Sequence, residues 1–120
     1  MAKTINVQVR RVYDEPHASD GARVLVDRLW PRGMSKDRAE LTQWCKEVAP
    51  SPELRTWYGH DPQKFDEFAR RYRRELVDQE HADALAELRA LAAKGMLTLL
   101  TAAKRDDISE ATVLQQMLGE

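Results

Sequence analysis

Two short apolar segments, each followed directly by charged residues, limit the folds that are open to this chain. Val24, Leu25 and Val26 form the first segment, and residues 96–100 form the second. Apolar runs of this length are typical of strands that are covered on both faces, as in parallel sheets. Because helical patterns separate the two segments along the chain, they predict the inner strands of an α/β sheet.

Two further strands are predicted on weaker patterns. Apolar and polar residues alternate from Ile5 to Arg10, which is the period of a half-covered strand. Between residues 41 and 48, Trp44, Cys45 and Val48 fit a strand and also fit one turn of helix. We favour a strand here, and a helix would remove one strand from the sheet.

Five helices are predicted from capping residues and apolar spacing. Ser35 can cap a short turn that ends at Ala39, and Ser51 with Pro52 begins a helix that ends at Gly59. The longer helices are predicted at residues 62–79, at residues 85–92 with a stop at residue 95, and after Ser109, which can cap the last one.

Length and charge restrict the fold and the class of protein. With 120 residues, we expect residues 1–120 to form a single three-layer α/β domain of about four mostly parallel strands flanked by helices. A net charge of -1 gives no overall attraction to nucleic acid or to a membrane surface. One cysteine excludes an internal disulfide, and the histidines lack metal-site spacing, so no metal or cofactor is expected. Without an apolar leader or membrane span, we expect a cytoplasmic protein.

The candidate site lies where the two inner strands end. Asp27 and Arg28 follow the first strand, and Lys104 follows the second, so parallel strands would bring them to one edge of the sheet. Arg28, Arg32 and Lys104 would hold an anion, Trp30 would supply a flat wall, and Asp27 would be available for proton transfer. The alternative is structural: Asp27 and Arg28 hold the loop in place and Trp30 fills the core.

A second aromatic and polar cluster contains Trp57, Tyr58 and His60. His60 could act as an acid or base near neutral pH, but a surface or packing role is favoured because Asp61 is already explained as a helix cap. If Trp57 and Tyr58 were exposed, they could instead anchor a protein partner.

An arginine-rich segment offers a different kind of function. Four arginines of the 62–79 helix could contact nucleic acid, but acidic residues four positions away could pair with much of this charge and give an ordinary solvated face. The arginines are Arg70, Arg71, Arg73 and Arg74, and the acidic residues are Asp66, Glu67 and Glu75. Cys45 has no activating neighbour, so a buried and inert thiol is expected there.

Several motifs together resemble the YeaO-like branch of the domain-of-unknown-function 488 family. They read RVLVDRLWPRG, WCKEVAPSPELRTWYGHDP, FxxFARRYRREL and TLLTAAK, and the resemblance extends from about Ile5 to Leu118. It implies a small bacterial α/β protein and brings no established activity or catalytic residue. Longer relatives carry Asp-Val-Arg where this chain has Asp27 and Arg28, and often a cysteine where it has Thr101 or Ala102, which puts thiol chemistry in doubt here.

The sequence therefore favours a protein that binds a small phosphorylated or nucleotide-like ligand in a basic aromatic cleft at the strand ends. Whether it is also an enzyme stays open at this point. The alternative is a nucleic-acid-binding or regulatory module that uses the arginine-rich helix. Salt dependence separates the two functions, because contacts with many phosphates weaken steeply as salt is added.

Overall fold

The inner strands of the sheet are the two apolar segments that the sequence marks. The computed structural model describes residues 6–119, and within them four parallel strands have the order β1-β4-β2-β3. The strands are β1 (Val7–Arg11), β2 (Ala22–Leu25), β3 (Gln43–Trp44) and β4 (Leu97–Thr101). Helices cover the sheet, so the predicted α/β architecture is confirmed.

Alternate residues of the inner strands face two separate apolar clusters. Val24, Leu97 and Leu99 belong to the larger cluster, which the longer helices complete. Leu25 and Leu100 belong to a smaller cluster on the other side, with Trp30 and Trp44 packed against it. The sheet is therefore the middle of three layers, which explains why its inner strands carry apolar residues on both faces.

The ambiguous segment at residues 41–48 is a strand for only two residues. β3 ends at Trp44, and a 3-10 turn follows at Lys46–Val48. The backbone N–H of Cys45 donates to Leu25 O at 2.8 Å, which continues the strand pairing for one residue before the chain turns. The predicted strand is thus right in its position and too long. The predicted first strand is also confirmed, although Ile5 lies outside the described residues.

Two short helices begin and end where their capping residues predict. Helix α1 (Lys36–Ala39) begins after Ser35, whose hydroxyl accepts from Arg38 N at 3.1 Å. Helix α2 (Pro52–Tyr58) begins after Ser51 and ends at Gly59, which has a left-handed φ of 54°. Both predictions are confirmed. The helices begin at these residues because the capping side chains accept from backbone N–H groups that have no partner within the helix.

The predicted helix at residues 62–79 is too long. A 3-10 turn at Pro62–Lys64 leads into α3 (Phe65–Glu75), and α4 (Gln79–Lys94) begins shortly afterwards. The break occurs because the Asp78 carboxylate accepts from His81 N at 2.9 Å and so caps a new helix. Helix α4 then covers the predicted 85–92 segment and ends before Gly95.

The last helix, α5 (Glu110–Leu118), follows Ser109, but Ser109 does not cap it as predicted. Its hydroxyl donates to Asp106 O at 2.8 Å instead and holds the preceding 3-10 turn at Asp106–Ile108. Val113 and Leu114 are fully buried against the sheet, so the inward face of α5 is as expected.

A buried ion pair holds the start of β2. The Asp20 carboxylate contacts the Arg23 guanidinium at 2.5 Å and accepts from His17 N at 3.0 Å. Arg23 Nη2 also donates to Ala39 O at 2.9 Å, which links β2 to α1. Burial by itself would raise the pKa of Asp20, but the His17 N–H and the Arg23 guanidinium lower it below its ordinary value.

Candidate functional site

A cleft of about 510 Å³ opens at the carboxyl edge of the sheet, where β2 and β4 end side by side. The N–H of Val26 donates to Leu100 O at 3.1 Å, which keeps the two chains together up to the cleft. The structure brings all five residues of the predicted site to this cleft: Asp27, Arg28, Trp30, Arg32 and Lys104.

Asp27 lies at the floor of the cleft and is held by the ends of neighbouring strands. Its Oδ2 accepts from Ala102 N at 2.8 Å, and its backbone carbonyl accepts from Trp44 Nε1 at 2.7 Å. Its Oδ1 is buried and has no hydrogen-bond donor among residues 6–119. Asp27 therefore holds the loop in place, as the structural alternative proposes, and its Oδ1 has no hydrogen-bond donor among residues 6–119.

Glu110, the first residue of α5, supplies a second carboxyl group at the floor. Its Oε1 accepts from Thr101 Oγ1 at 3.3 Å, and like Asp27 it lines the cleft. Burial raises the pKa of Glu110 well above its ordinary value, and the neighbouring Asp27 raises it further. Sequence reasoning missed this residue, because a glutamate in the first turn of a helix is already explained by the helix dipole.

Arg28 points toward the loop that precedes α2. Its guanidinium donates to Pro50 O and to Ala49 O, each at 3.4 Å. These are long hydrogen bonds. Arg28 thus lines the cleft and also supports its wall, which agrees in part with the structural alternative.

The rim of the cleft carries cations. Arg32, Arg55 and Lys104 are exposed, and within residues 6–119 no side-chain hydrogen bond or ion pair engages their charged groups. Arg105, in contrast, is paired with Asp107 at 2.8 Å. Arg55 was not among the predicted residues, since its position on α2 gave no signal in the sequence that it would face the strand ends.

Trp30 forms a wall of the cleft and also packs against the smaller apolar cluster. Its Nε1 donates to Met34 O at 2.7 Å, and its ring meets Trp44 edge to face with centroids 5.3 Å apart. The indole N–H is therefore occupied, and what Trp30 offers to a ligand is ring surface.

Comparison with known proteins identifies the family. A family model described as the inactive DUF488-N3 subclade matches residues 6–120. The chain belongs to the DUF488 family. It is 50% identical over 119 residues to the uncharacterized protein Rv3073c of Mycobacterium tuberculosis (strain ATCC 25618 / H37Rv). The aligned residues make up 99% of this chain and 98% of that protein. The uncharacterized protein YeaO of Escherichia coli (strain K12) is 41% identical over 114 residues, with 95% and 97% covered. No solved structure matches the chain.

The second predicted cluster of this DUF488 chain is divided between two surfaces. Tyr58 and His60 line the cleft, whereas the Trp57 ring is in contact with the cationic groups of Lys64 and Arg71, which lie 5.1 and 4.2 Å from its centroid. Tyr58 is only 4% exposed and its hydroxyl donates to Ile108 O at 2.6 Å. The possibility that Trp57 and Tyr58 are exposed anchors depended on their exposure, and Tyr58 does not meet that condition because it lies in the core, while Trp57 is half-buried.

Titratable groups in this cluster have different environments. Burial raises the pKa of Tyr58 to about 12, with the Glu110 charge adding to the effect. His60 is exposed, with a left-handed φ of 58°. Asp61 does not orient it, because the Asp61 carboxylate accepts from Gln63 N at 3.0 Å as a helix cap.

Part of the arginine-rich face of α3 is paired locally, and one of the three pairs that its spacing predicts, Glu67–Arg71, is formed. Glu67 accepts from both Arg70 at 2.6 Å and Arg71 at 2.8 Å. The predicted Asp66–Arg70 and Glu75–Arg71 pairs are not formed within the described residues, and Glu75 accepts from Ser51 N at 2.8 Å instead. Arg71 also lies over Trp57, so at least two arginines of this face already have partners.

Other kinds of site find little support in residues 6–119. Cys45 is fully buried, and burial raises the pKa of its thiol to about 11, which agrees with the predicted inert thiol. Among these residues no group of three or more His, Cys, Asp and Glu side chains is arranged to hold a metal ion. None of their helices combines the length and the apolarity needed to cross a membrane.

Proposed function

We propose that this protein binds a small phosphorylated or nucleotide-like ligand in the cleft at the carboxyl edge of the sheet. The observation that carries the proposal is the set of exposed cations at the rim, Arg32, Arg55 and Lys104, whose charged groups have no partner within residues 6–119. Guanidinium and ammonium groups are the usual protein ligands of phosphate. Open parallel sheets also place their ligands at this edge.

The remaining residues of the cleft have distinct roles in this proposal. The exposed part of the Trp30 ring offers a surface on which a planar group can stack. Arg28 lines the cleft and keeps the Ala49–Pro50 loop in place. Asp27 and Glu110 place acceptors at the floor, away from the anion.

We propose binding without turnover. The matching family is described as an inactive subclade, which favours this choice over an enzyme. Asp27, the residue predicted for proton transfer, has one oxygen occupied by Ala102 N and the other buried. That environment suits a structural acceptor better than a freely accessible base.

Thermal unfolding in the presence of nucleotides, sugar phosphates and inorganic phosphate tests the proposal. A ligand at 100 times its Kd stabilises the folded state by about 2.7 kcal/mol, which raises Tm by several degrees for a domain of this size. We expect Arg32→Ala to lose most of this shift. Arg89→Ala is the matched control, because Arg89 is an exposed arginine on α4 that does not line the cleft.

Short DNA in the same panel tests the alternative function. Binding through Arg70, Arg71, Arg73 and Arg74 would weaken by orders of magnitude between low and moderate salt, as expected for several phosphate contacts. A salt-sensitive response to DNA that Arg32→Ala leaves intact, without any response to small phosphorylated compounds, would overturn the proposed function.

A further inference from the structure

We infer that Asp27 and Glu110 share one proton at the floor of the cleft and that this pair binds a hydroxyl group of the phosphorylated ligand. The ligand class is then a phosphorylated sugar, either free or as the ribose phosphate of a nucleotide. The inference rests on the proposed function, because the cations of the rim are what would hold the phosphate.

The hydrogen bonds at the floor leave one acceptor without a donor. Ala102 N donates to Asp27 Oδ2, and Thr101 Oγ1 donates to Glu110 Oε1. Asp27 Oδ1 is buried with no donor in the described part of the chain, and the Glu110 carboxyl group lines the same cleft and interacts electrostatically with Asp27. Two carboxylates have no hydrogen to share, so a proton on Glu110 would supply the missing donor.

No cation neutralises the pair. Within residues 6–119, neither Asp27 nor Glu110 forms a salt bridge, and the nearby Arg28 guanidinium donates to backbone carbonyls instead. Two adjacent ionised carboxylates without a counter-ion repel each other strongly, and retaining one proton relieves the repulsion. The raised pKa of Glu110 agrees with this arrangement.

The other ionisable groups around the pair do not supply that proton. The hydroxyls of Tyr58 and Tyr72 donate to the backbone carbonyls of Ile108 and Val48. Arg105 is paired with Asp107. The groups that face the pair are therefore Arg28 beside Asp27, Tyr58 from α2, Tyr72 from α3 and the Arg105–Asp107 pair before α5.

A pair with one proton has the chemistry to bind a hydroxyl. Its proton is used between the two carboxyl groups, so what the pair offers to the O–H of a ligand hydroxyl is an acceptor oxygen of Glu110, which lines the cleft. Its single negative charge would repel a second phosphate but not a neutral sugar. Acidic side chains bind ribose hydroxyls in the same way at the edges of other parallel sheets. The cleft would thus take a phosphate at its rim and a hydroxyl at its floor.

The proton is tested in the ligand-free protein by following the Glu110 carboxyl carbon by NMR as pH is raised. We expect Glu110 to keep its proton at pH values where glutamates of the urea-unfolded chain, near about 4.3, have lost theirs. Asp27→Asn should move the Glu110 titration to lower pH, whereas Glu53→Gln, at an exposed first-turn glutamate of α2, should not. If Glu110 loses its proton at the same pH as the glutamates of the unfolded chain, the inference of a shared proton is overturned.

The ligand class is tested by calorimetry with ribose 5-phosphate and inorganic phosphate. We expect the folded protein to prefer ribose 5-phosphate by about tenfold or more, which is the effect of one hydrogen bond to a charged group. Asp27→Asn should reduce this preference by lowering the affinity for ribose 5-phosphate relative to the affinity for inorganic phosphate. Glu53→Gln should leave both affinities unchanged.

The outcomes separate the two proposals. If both compounds bind equally well, or if Asp27→Asn keeps the preference, phosphate binding stands and the hydroxyl site is overturned. If neither compound binds and no nucleotide or sugar phosphate of the thermal-unfolding panel stabilises the protein, while Glu110 still keeps its proton, the proposed function and the ligand class both fail and the shared proton stands.

Discussion

At the scale of single residues, the cleft separates opposite charges by depth. Arg32 and Lys104 carry exposed positive charge at the rim, and Asp27 and Glu110 place carboxyl groups at the floor. The rim charges are solvated and free to meet an anion, whereas the floor groups are fixed by Ala102 N and Thr101 Oγ1. Such a gradient favours a ligand with one charged end and one neutral polar end.

Glu110→Gln should remove a pH dependence of stability. The pKa of Glu110 is raised in the folded state, so its stabilising contribution is complete below about pH 4.3, the value for unfolded glutamate, and is lost as pH rises through the folded-state pKa. This loss is at most about 1.4 kcal/mol per pH unit. Glutamine keeps an N–H donor toward Asp27 and an acceptor for Thr101 without carrying a charge.

Urea unfolding at pH 5 and pH 8 measures the effect. We expect the unmodified chain to lose more unfolding free energy than Glu110→Gln between these two pH values. Titrating groups other than Asp27, which interacts with Glu110, contribute equally to both proteins. Parallel changes in the two proteins would contradict the raised pKa of Glu110.

The individual site residues were predictable to different degrees. Asp27, Arg28 and Lys104 could be placed together because they directly follow two apolar strands, and parallel neighbours end at one edge. Glu110 and Arg55 could not be placed at the cleft from the sequence, because they reach it from helices whose packing depends on contacts between residues far apart in the chain. The partners of Arg28 are two backbone carbonyls, which every residue has, so the sequence could not indicate them.

At the scale of elements, the position of the cleft depends on the register between β2 and β4. Ala22 N donates to Met96 O at 3.0 Å, which aligns the starts of the two strands and therefore their ends. Gly21 makes this approach feasible, because its φ is 65° and a β-carbon at this position would overlap Met96 O. Glycine is the residue that tolerates both conditions.

Gly21→Ala should destabilise the protein by about 2–4 kcal/mol, from backbone strain together with the overlap at Met96 O. Gly33→Ala is the control, because Gly33 also has a positive φ, 75°, but no atom lies within 4 Å of the added β-carbon. There we expect about 1–2 kcal/mol from strain alone. Equal losses of unfolding free energy in urea would show that the close approach at Gly21 does not set the register.

Elements that begin and end at strong local signals were predictable from the sequence. Elements whose ends depend on a cap inside an apolar stripe, or on tertiary packing, were not. The Ser51 cap and Gly59 stop delimit α2 as the sequence predicts. The apolar stripe of residues 62–79 continues across a helix break, because capping by Asp78 ends the helix without changing the pattern of apolar residues. β3 is short because the chain turns at Cys45 to bury that side chain, a tertiary effect.

At the scale of the whole molecule, a net charge of -1 conceals an uneven distribution. On α3, Arg70 and Arg71 both pair with Glu67, whereas Arg32, Arg55 and Lys104 at the cleft are not paired by any of residues 6–119. Total charge therefore says little about where this DUF488 protein would meet an anion. The fold decides this by placing loops from two inner strands and one helix around the same opening.

Amide chemical-shift mapping with ribose 5-phosphate tests the proposed ligand cleft most directly. We predict that the shifted amides cluster at residues 27–33 and 101–105 and saturate together as the compound is added. Arg32→Ala should weaken these changes, and Arg89→Ala should not. An absence of shifts at saturating phosphorylated compounds, or shifts confined to residues 70–74 of α3, would contradict the account.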